Sequence, residues 1–207
     1  MVWKLRKWVC SLKLKRIVYL ISPQKIDQDF YKSLRKVLAT KKVKFFQLRL
    51  KKTSKKNIIK IGKKIKSITD KFKVKLIIND SPLITKKLKA SGCHIGQTDT
   101  SIIRARKILK NKIIGITCHN SILLAKKAKK FGADYVAFGS FFSTKTKKIK
   151  HYAHLNLIKW ANKKLKLPVV AIGGININNY KIVLESGANL IAMSNFIWKN
   201  NKNIKGF

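Results

Sequence analysis

Two acidic residues, Asp80 and Asp99, lie at positions where their carboxylates could bind a metal ion. The chain of 207 residues has only seven acids against 49 lysines and arginines, a formal net charge of +42, so the position of each acid is informative. Asp80 ends the apolar run KLIIND, and Asp99 closely follows the run CHIG. If both runs are strands of one parallel sheet, the two carboxylates meet at one edge and suit Mg²⁺. A helix cap or an ion pair is the alternative for each.

Cations and an amide follow another apolar run, KFFQLRL, which leads into Lys51. Strand alternation puts Gln47, Arg49 and Lys51 on the same face. An amide with two cations suits a polyanionic ligand. Arg49 is one of only six arginines, which favours a specific role for it over a merely solvated strand end.

Small and hydroxyl residues predict a second anion site. Gly173-Gly174 and Ser194-Asn195 end the last two apolar runs, and barrels often hold phosphate with the loops after strands seven and eight. Glycine lets backbone N–H groups approach an anion closely. The segment 143–147, Ser-Thr-Lys-Thr-Lys, is typical of an anion-binding loop. His119 fits either a proton shuttle or a hydrogen-bonded structural residue.

The elements that must position these residues alternate along the chain. Apolar runs at 17–22, 44–50, 75–80, 93–96, 113–118, 135–140, 168–174 and 190–195 alternate with segments of helical spacing. Eight such units predict an α/β fold, a single compact (β/α)8 TIM barrel. A doubly wound open sheet is the alternative. We expect the barrel to span 17–207, preceded by a short basic helical extension over 1–16.

Composition excludes several classes of protein. A hydrophobic fraction of 45% is too high for a disordered chain. No apolar run approaches the roughly 18 residues of a membrane span, and the basic N-terminus lacks the apolar stretch of a signal peptide. Three cysteines make no disulfide framework, so we expect a reducing, cytoplasmic setting. The lysines are dispersed with many isoleucines and asparagines, which favours codon drift over a nucleic-acid surface.

The order of the motifs resembles the thiamine phosphate synthase family from about Ile17 to Trp198. It includes QLRxK from Gln47, the Asn79-Asp80 pair, HxGQxD from His94 to Asp99, GITCH, GADYVAFGSFF, TxTK from Thr144, and PVVAIGGI. The family joins 4-amino-2-methyl-5-pyrimidinylmethyl diphosphate to a thiazole ethyl phosphate and releases pyrophosphate. The resemblance thus implies two small phosphorylated substrates, and neither a specific nucleic acid nor a membrane as partner.

The resemblance also implies roles for individual residues, with no catalytic nucleophile. Mg²⁺ would be bound by Asp80 and Asp99. The pyrimidine and the diphosphate would be bound by Gln47, Arg49, Lys51, Asn79, Thr117 and Lys147. The thiazole phosphate would be bound by Thr144, Thr146, Gly174, Ser194 and Asn195.

The sequence departs from the family at several of these positions. Ser81 replaces a frequent Arg, Leu83 a frequent acid, Thr117 a Ser, and Asn195 a frequent second Ser. None of these changes removes a charged residue from the implied metal and diphosphate set. Two other functions compete. The thiazole tautomerase of the same fold would use His119 as its acid–base residue, and a basic nucleic-acid-binding protein would account for the net charge.

Overall fold

The computed structural model describes residues 16–143 and 151–207. The predicted N-terminal helix over 1–16 therefore lies outside the described residues except for Arg16. The Arg16 guanidinium donates a hydrogen bond of 2.7 Å to the carbonyl oxygen of Lys73. This contact ties the start of the described chain to the turn before the third strand.

Eight parallel strands form a closed barrel in which sequence neighbours pair and β8 returns to β1. The strands are β1 Val18–Ile21, β2 Val43–Leu48, β3 Lys75–Asn79, β4 Gly92–Ile95, β5 Ile113–His119, β6 Tyr135–Phe138, β7 Val169–Ile172 and β8 Leu190–Met193. The closed order confirms the predicted (β/α)8 barrel and excludes an open doubly wound sheet. Every carboxyl end of a strand therefore lies on one rim.

Helices follow the strands and pack outside them. They are α1 Gln28–Ala39, α2 Lys55–Lys71, α3 Pro82–Lys87, α4 Ile102–Leu109, α5 Ile122–Lys130, α6 Leu155–Trp160, α7 Tyr180–Glu185 and α8 Asn195–Lys199. A π-helical turn at Ala161–Leu165 extends α6, and a 3₁₀ helix at Asn201–Gly206 follows α8. Among these helices, none has both the length and the apolar character that crossing a membrane requires.

Hydroxyl and carboxylate side chains begin most of the early helices. Asp27 caps α1 by accepting a hydrogen bond from the Phe30 N–H. Ser81 caps α3 in the same way, through the Ile84 N–H, and Pro82 follows at the first helical position. Each cap satisfies an amide that the helix itself leaves unpaired. The serine at position 81, which departs from the family pattern, therefore has a structural role here.

Strand alternation divides the apolar residues into two layers. The larger layer lies between the strands and the helices and includes Leu20, Phe46 and Ile78. The smaller layer fills the inside of the barrel, where Tyr19, Phe45, Ile77, Tyr135, Ala137, Val170, Leu190 and Ala192 pack together. The interior is therefore a packed core whose upper members border the mouth.

Gly115 makes room for the aromatic rings in this interior. The ladder pairs His94 with Gly115 and Gly115 with Tyr135, so these residues are neighbours on β4, β5 and β6. A Cβ atom on Gly115 would lie 1.8 Å from Cζ of Tyr135. Because Gly115 has no side chain, the His94 and Tyr135 rings stack with centroids 5.6 Å apart and planes 20° apart.

We predict that Gly115→Ala destabilises the barrel by about 1–3 kcal/mol, as overpacked cores typically do. The added methyl must displace the Tyr135 ring, which is enclosed on all sides. Gly62→Ala is the matched control, because its Cβ would meet terminal methyl groups of Leu88 and Leu48, which can shift, and no backbone or ring atom, and because alanine favours the helix. Urea unfolding should show the larger loss for Gly115→Ala. Equal unfolding free energies for Gly115→Ala and the parent chain would contradict this packing argument.

Candidate active site

The barrel brings most of the predicted site residues to one rim. Gln47 lies near the end of β2, Asn79 ends β3, and Thr117 lies near the end of β5. Asp80 and Ser194 directly follow β3 and β8. Thr144, Thr146 and Lys147 lie outside the described residues. The mouth is therefore described on the sides of strands one to five, seven and eight.

Asp80 and Asp99 form a carboxylate pair at this rim. The Asp80 N–H donates to the His94 carbonyl at 2.7 Å, and the Gly96 N–H donates to Asp99 Oδ2 at 2.7 Å. Burial raises the pKa of Asp80 to about 6, with further contributions from the hydrogen bond and the negative charge of Asp99. The positive charges of Lys51 and Arg49 act in the opposite direction. The pair is thus a concentrated negative charge bordered by cations.

Two other acids in the described part of the chain, Asp70 and Asp134, have structural partners. Asp70 forms an ion pair with Lys66 one helical turn away. Asp134 pairs with Arg106 at 2.7 Å and also accepts the Ile114 N–H. Asp80 and Asp99 differ because each faces another carboxylate. Two like charges held together normally indicate a bound cation or a shared proton.

The pair fits Mg²⁺, which binds one or two carboxylates and completes its coordination with phosphate oxygens and water. Residues 16–143 and 151–207 contain no cluster of three or more His, Cys, Asp or Glu side chains able to hold a metal. An all-protein cage of the kind used for zinc is therefore not formed there. The donor set instead suits a hard cation that arrives with a phosphorylated ligand.

A chain of hydrogen-bonded side chains crosses the barrel interior beneath the mouth. Gln47 Nε2 donates to Tyr19 Oη at 2.8 Å, and Tyr19 Oη lies 2.8 Å from Tyr135 Oη. Tyr135 Oη lies 2.9 Å from His94 Nδ1, and His94 Nε2 lies 2.8 Å from Thr117 Oγ1. We call these five residues the polar relay. Its two ends, Gln47 and Thr117, are both residues for which the family resemblance implies substrate binding.

The relay is buried and uncharged. Gln47, Tyr19, Tyr135 and His94 are each at most 8% exposed. Burial lowers the pKa of His94 to about 4, so the imidazole is neutral at physiological pH. Burial also raises the pKa of both tyrosines, which keeps their hydroxyl groups protonated. Every member is therefore a neutral group with a limited number of protons to donate.

Sequence reasoning missed several residues that build the mouth. Tyr19, Tyr135 and Ser22 are not among the residues that the sequence predicted for the site. Ser22 Oγ accepts the Arg49 N–H at 3.0 Å, while the Ser22 carbonyl accepts Ser194 Oγ at 3.4 Å. Ser22 thus joins three strand ends. The strand-period pattern indicated which faces point inward, but the partners lie far apart in the sequence.

The side of the mouth formed after β7 is a glycine turn braced by asparagines. Gly174 has φ +64°, and a Cβ there would lie 2.3 Å from the Ser143 carbonyl oxygen, so glycine is required for both conformation and space. Asn179 Nδ2 donates to the Gly174 carbonyl at 3.1 Å, and the Asn176 N–H donates to Asn179 Oδ1 at 2.8 Å. Gly174, Ser194 and Asn195 stay predicted ligands on this side.

His119 departs from the strand alternation that the sequence suggests. The ladder between β5 and β6 shifts register between Thr117 and His119, and His119 has φ +51°. Regular strand alternation would direct Thr117 and His119 to the same side of β5, and the bulge interrupts that alternation. The His119 ring packs beside the His151 ring, with centroids 4.8 Å apart.

Comparisons with known proteins agree with this geometry. A family described as "Thiamine monophosphate synthase" matches residues 18–197. A "Thiamine-phosphate synthase" of Pelagibacter ubique (strain HTCC1062) is 59% identical over 189 residues, covering 91% of both chains. One from Erythrobacter litoralis (strain HTCC2594) is 37% identical and covers 89% of both. A solved "Thiamine phosphate pyrophosphorylase from Pyrococcus furiosus" superposes with a TM-score of 0.82 at 28% identity, covering 95% of this chain and 94% of that one.

We predict that Asp80→Asn stabilises the metal-free protein above pH 6. The folded state raises the Asp80 pKa from 3.8 to about 6, so it holds this proton more tightly than the unfolded state, and stability falls as pH rises between these values. Asparagine removes the charge and tolerates the positive φ of 63° at this position. Thermal unfolding with chelator, well above and well below pH 6, should show the stabilisation only at the higher pH.

Two further measurements make this test specific to the carboxylate pair. Asp134→Asn, the matched control, should destabilise the protein, because it removes the partner of Arg106. Added Mg²⁺ should raise the unfolding temperature of the parent chain and not that of Asp80→Asn. An Asp80→Asn protein that is less stable at high pH, or that responds to Mg²⁺ as strongly as the parent, would refute this account of the pair.

Proposed function

The chain belongs to the thiamine monophosphate synthase family and is a transferase that makes thiamine phosphate, and we propose how its barrel mouth does so. The substrates are 4-amino-2-methyl-5-pyrimidinylmethyl diphosphate and a thiazole ethyl phosphate, and the second product is pyrophosphate. The observation that carries this proposal is the Asp80–Asp99 pair beside Arg49 and Lys51. It matches a metal–diphosphate complex better than it matches a bare anion.

The proposed diphosphate site combines carboxylates, which would hold a metal ion, with positively charged side chains. Asp80 and Asp99 would hold Mg²⁺, which when bound acts as a Lewis acid toward the leaving pyrophosphate. Arg49 and Lys51 contribute positive charge near Asp80 and would contact the outer phosphate oxygens. Asn79, Thr117 and Lys147 complete the proposed set, Lys147 on its sequence motif alone.

The protein must stabilise the positive and negative charges that develop as the C–O bond to the diphosphate breaks. The electron-rich aminopyrimidine stabilises a methylene cation, so the C–O bond to the diphosphate breaks before the thiazole nitrogen attacks the carbon. Gln47 would orient the pyrimidine, and the cationic residues stabilise the departing negative charge. A protein nucleophile is not needed. Cys93 and Cys118 are buried thiols whose pKa burial raises to about 12, which makes both poor nucleophiles.

The thiazole phosphate would bind on the opposite side of the mouth. Gly174 presents backbone in a turn that two asparagines brace. Ser194 lies at the end of β8 and is tied to β1 through Ser22. Together with Asn195, Thr144 and Thr146, these residues form the proposed second anion site. A phosphate held here fixes the thiazole ring, so the nitrogen is positioned before the cation forms.

The proposed function also bears on the domain organisation, the cellular compartment and the partners of the protein. We infer one catalytic unit over 17–207, with the basic segment 1–16 outside the barrel. Two buried free thiols fit a reducing, cytoplasmic compartment. The lysines cover most polar faces instead of one stripe, which supports small phosphorylated partners over a specific nucleic acid.

We predict that purified protein converts the two substrates to thiamine phosphate and pyrophosphate only when Mg²⁺ is present. Asp99→Asn should lose most of the turnover, because one of the two anionic ligands is gone, while the far-UV circular dichroism spectrum stays unchanged. Asp70→Asn is the matched control, since Asp70 lies on α2 and pairs with Lys66. Full turnover in excess chelator, or in Asp99→Asn, would refute the metal assignment.

We predict that Thr117 matters more than His119 for coupling. Thr117→Val removes a hydroxyl that would donate to the charged diphosphate, a hydrogen bond worth about 1.5–3 kcal/mol, and Thr117→Ser should restore it. His119→Ala should retain most of the coupling rate, because coupling needs no proton shuttle. The tautomerase alternative requires the reverse order when thiazole isomerisation is measured. A His119→Ala protein that couples normally but no longer isomerises would show two activities in one chain.

A further inference from the structure

The polar relay has a direction, because each of its inner members has one proton to give. Each tyrosine has one O–H, and a neutral imidazole has one N–H. If the donor and acceptor of one hydrogen bond in the relay exchange roles, the neighbouring hydrogen bonds must also reverse, or a buried group loses its partner. The relay thus has only two well-satisfied arrangements of protons, which run in opposite directions.

The amide of Gln47 selects one of these arrangements. Gln47 Nε2 has hydrogens and no lone pair to offer, and it faces Tyr19 Oη at 2.8 Å. Tyr19 must then donate to Tyr135, since a buried hydroxyl hydrogen would otherwise have no acceptor. Tyr135 in turn donates to His94 Nδ1, and the proton of His94 lies on Nε2 and is donated to Thr117 Oγ1. The Thr117 hydroxyl hydrogen is left to point away from the relay.

We propose that the polar relay couples the two ends of the pyrimidine substrate and selects a 4-amino over a 4-oxo pyrimidine. In the direction that Gln47 selects, Gln47 keeps its carbonyl oxygen as an acceptor while Thr117 keeps a hydrogen to donate. An exocyclic amino group needs the acceptor, and a diphosphate needs the donor. This inference rests on the proposed function for the identity of the substrate.

An oxo group at the same ring position reverses the requirement at Gln47. The amide would have to turn its N–H groups toward the ring and its oxygen toward Tyr19. Every bond in the relay would then reverse, and Thr117 would present a lone pair to the diphosphate. The wrong ring is therefore penalised at both ends of the molecule. Tyr19, Tyr135 and His94 act here as positioning residues, since none of them needs to touch the reacting atoms.

The position of the His94 proton tests the direction of the relay without any activity assay. The chain has four histidines, so ¹⁵N-histidine NMR resolves each ring, and His119→Ala, His151→Ala and His154→Ala identify His94 by elimination. We expect Nε2 to carry the proton and Nδ1 to be the acceptor in the substrate-free protein. A proton on Nδ1, or on both nitrogens, would overturn the proposed direction.

Ligand discrimination tests the coupling. The dissociation constants of the 4-amino and 4-oxo pyrimidinylmethyl diphosphates are measured with Mg²⁺ and without the thiazole phosphate. Tyr135→Phe and Tyr19→Phe each remove one hydroxyl group and with it two hydrogen bonds of the relay. Each variant should reduce the preference for the amino ligand by about tenfold or more, as expected when a specific hydrogen-bond requirement is lost. Thr69→Val, which removes a buried hydroxyl on α2 outside the relay, should keep the parent preference.

The possible results separate the coupling from a structural role and from failure of the proposed function. If both tyrosine variants weaken the two ligands equally and keep the parent preference, the relay is structural and the proposal is wrong. If one variant does not fold, the other still breaks the chain between Gln47 and Thr117. Failure of the proposed function would appear separately, as parent protein that forms no thiamine phosphate while the His94 proton still lies on Nε2.

Discussion

Buried polar groups must find hydrogen-bond partners, and this requirement organises the inside of the barrel. Four strands contribute Tyr19, Gln47, His94 and Tyr135 to a core that would otherwise be apolar, and the relay satisfies their inward-facing groups. Leaving any one unpaired would cost free energy comparable to a lost hydrogen bond. The relay therefore holds the strand ends in a fixed relation, and Gln47 and Thr117 reach the mouth already oriented.

The carboxylate pair differs from the relay, because it brings two like charges together at the functional site. Asp80 and Asp99 lie against each other. Burial first, and then the hydrogen bond and charge of Asp99, raise the pKa of Asp80, so its ionised form is disfavoured. The fold retains them because backbone groups fix both residues, through the His94 carbonyl and the Gly96 N–H. A site that is unfavourable without its cation is the kind of site that binds the cation strongly.

The sequence predicted the barrel well because its signals are local. Apolar runs alternate with helical stripes, and strand alternation separates Gln47, which points into the barrel, from Phe46 and Leu48, which face the helices. The relay could not be predicted in the same way. Tyr19 and Tyr135 are 116 residues apart, and the space between their strands depends on a missing side chain at Gly115. His119 shows a further limit, since one unpaired residue in a bulge shifts the alternation. A strand pattern identifies faces, whereas hydrogen-bond partners depend on register and ring packing.

The excess of positive charge acts at longer range than any of these contacts. Seven acids cannot neutralise 49 lysines and arginines, so the whole surface attracts phosphorylated molecules, and that attraction weakens as salt increases. Attraction to the surface does not by itself discriminate between one phosphorylated ligand and another. The Asp80–Asp99 pair makes the mouth less positive than its surroundings, so a bare phosphate gains less there than an anion that arrives with a divalent cation. The scarce acids thus supply the discrimination that abundant cations cannot, because two of them are held together at the mouth.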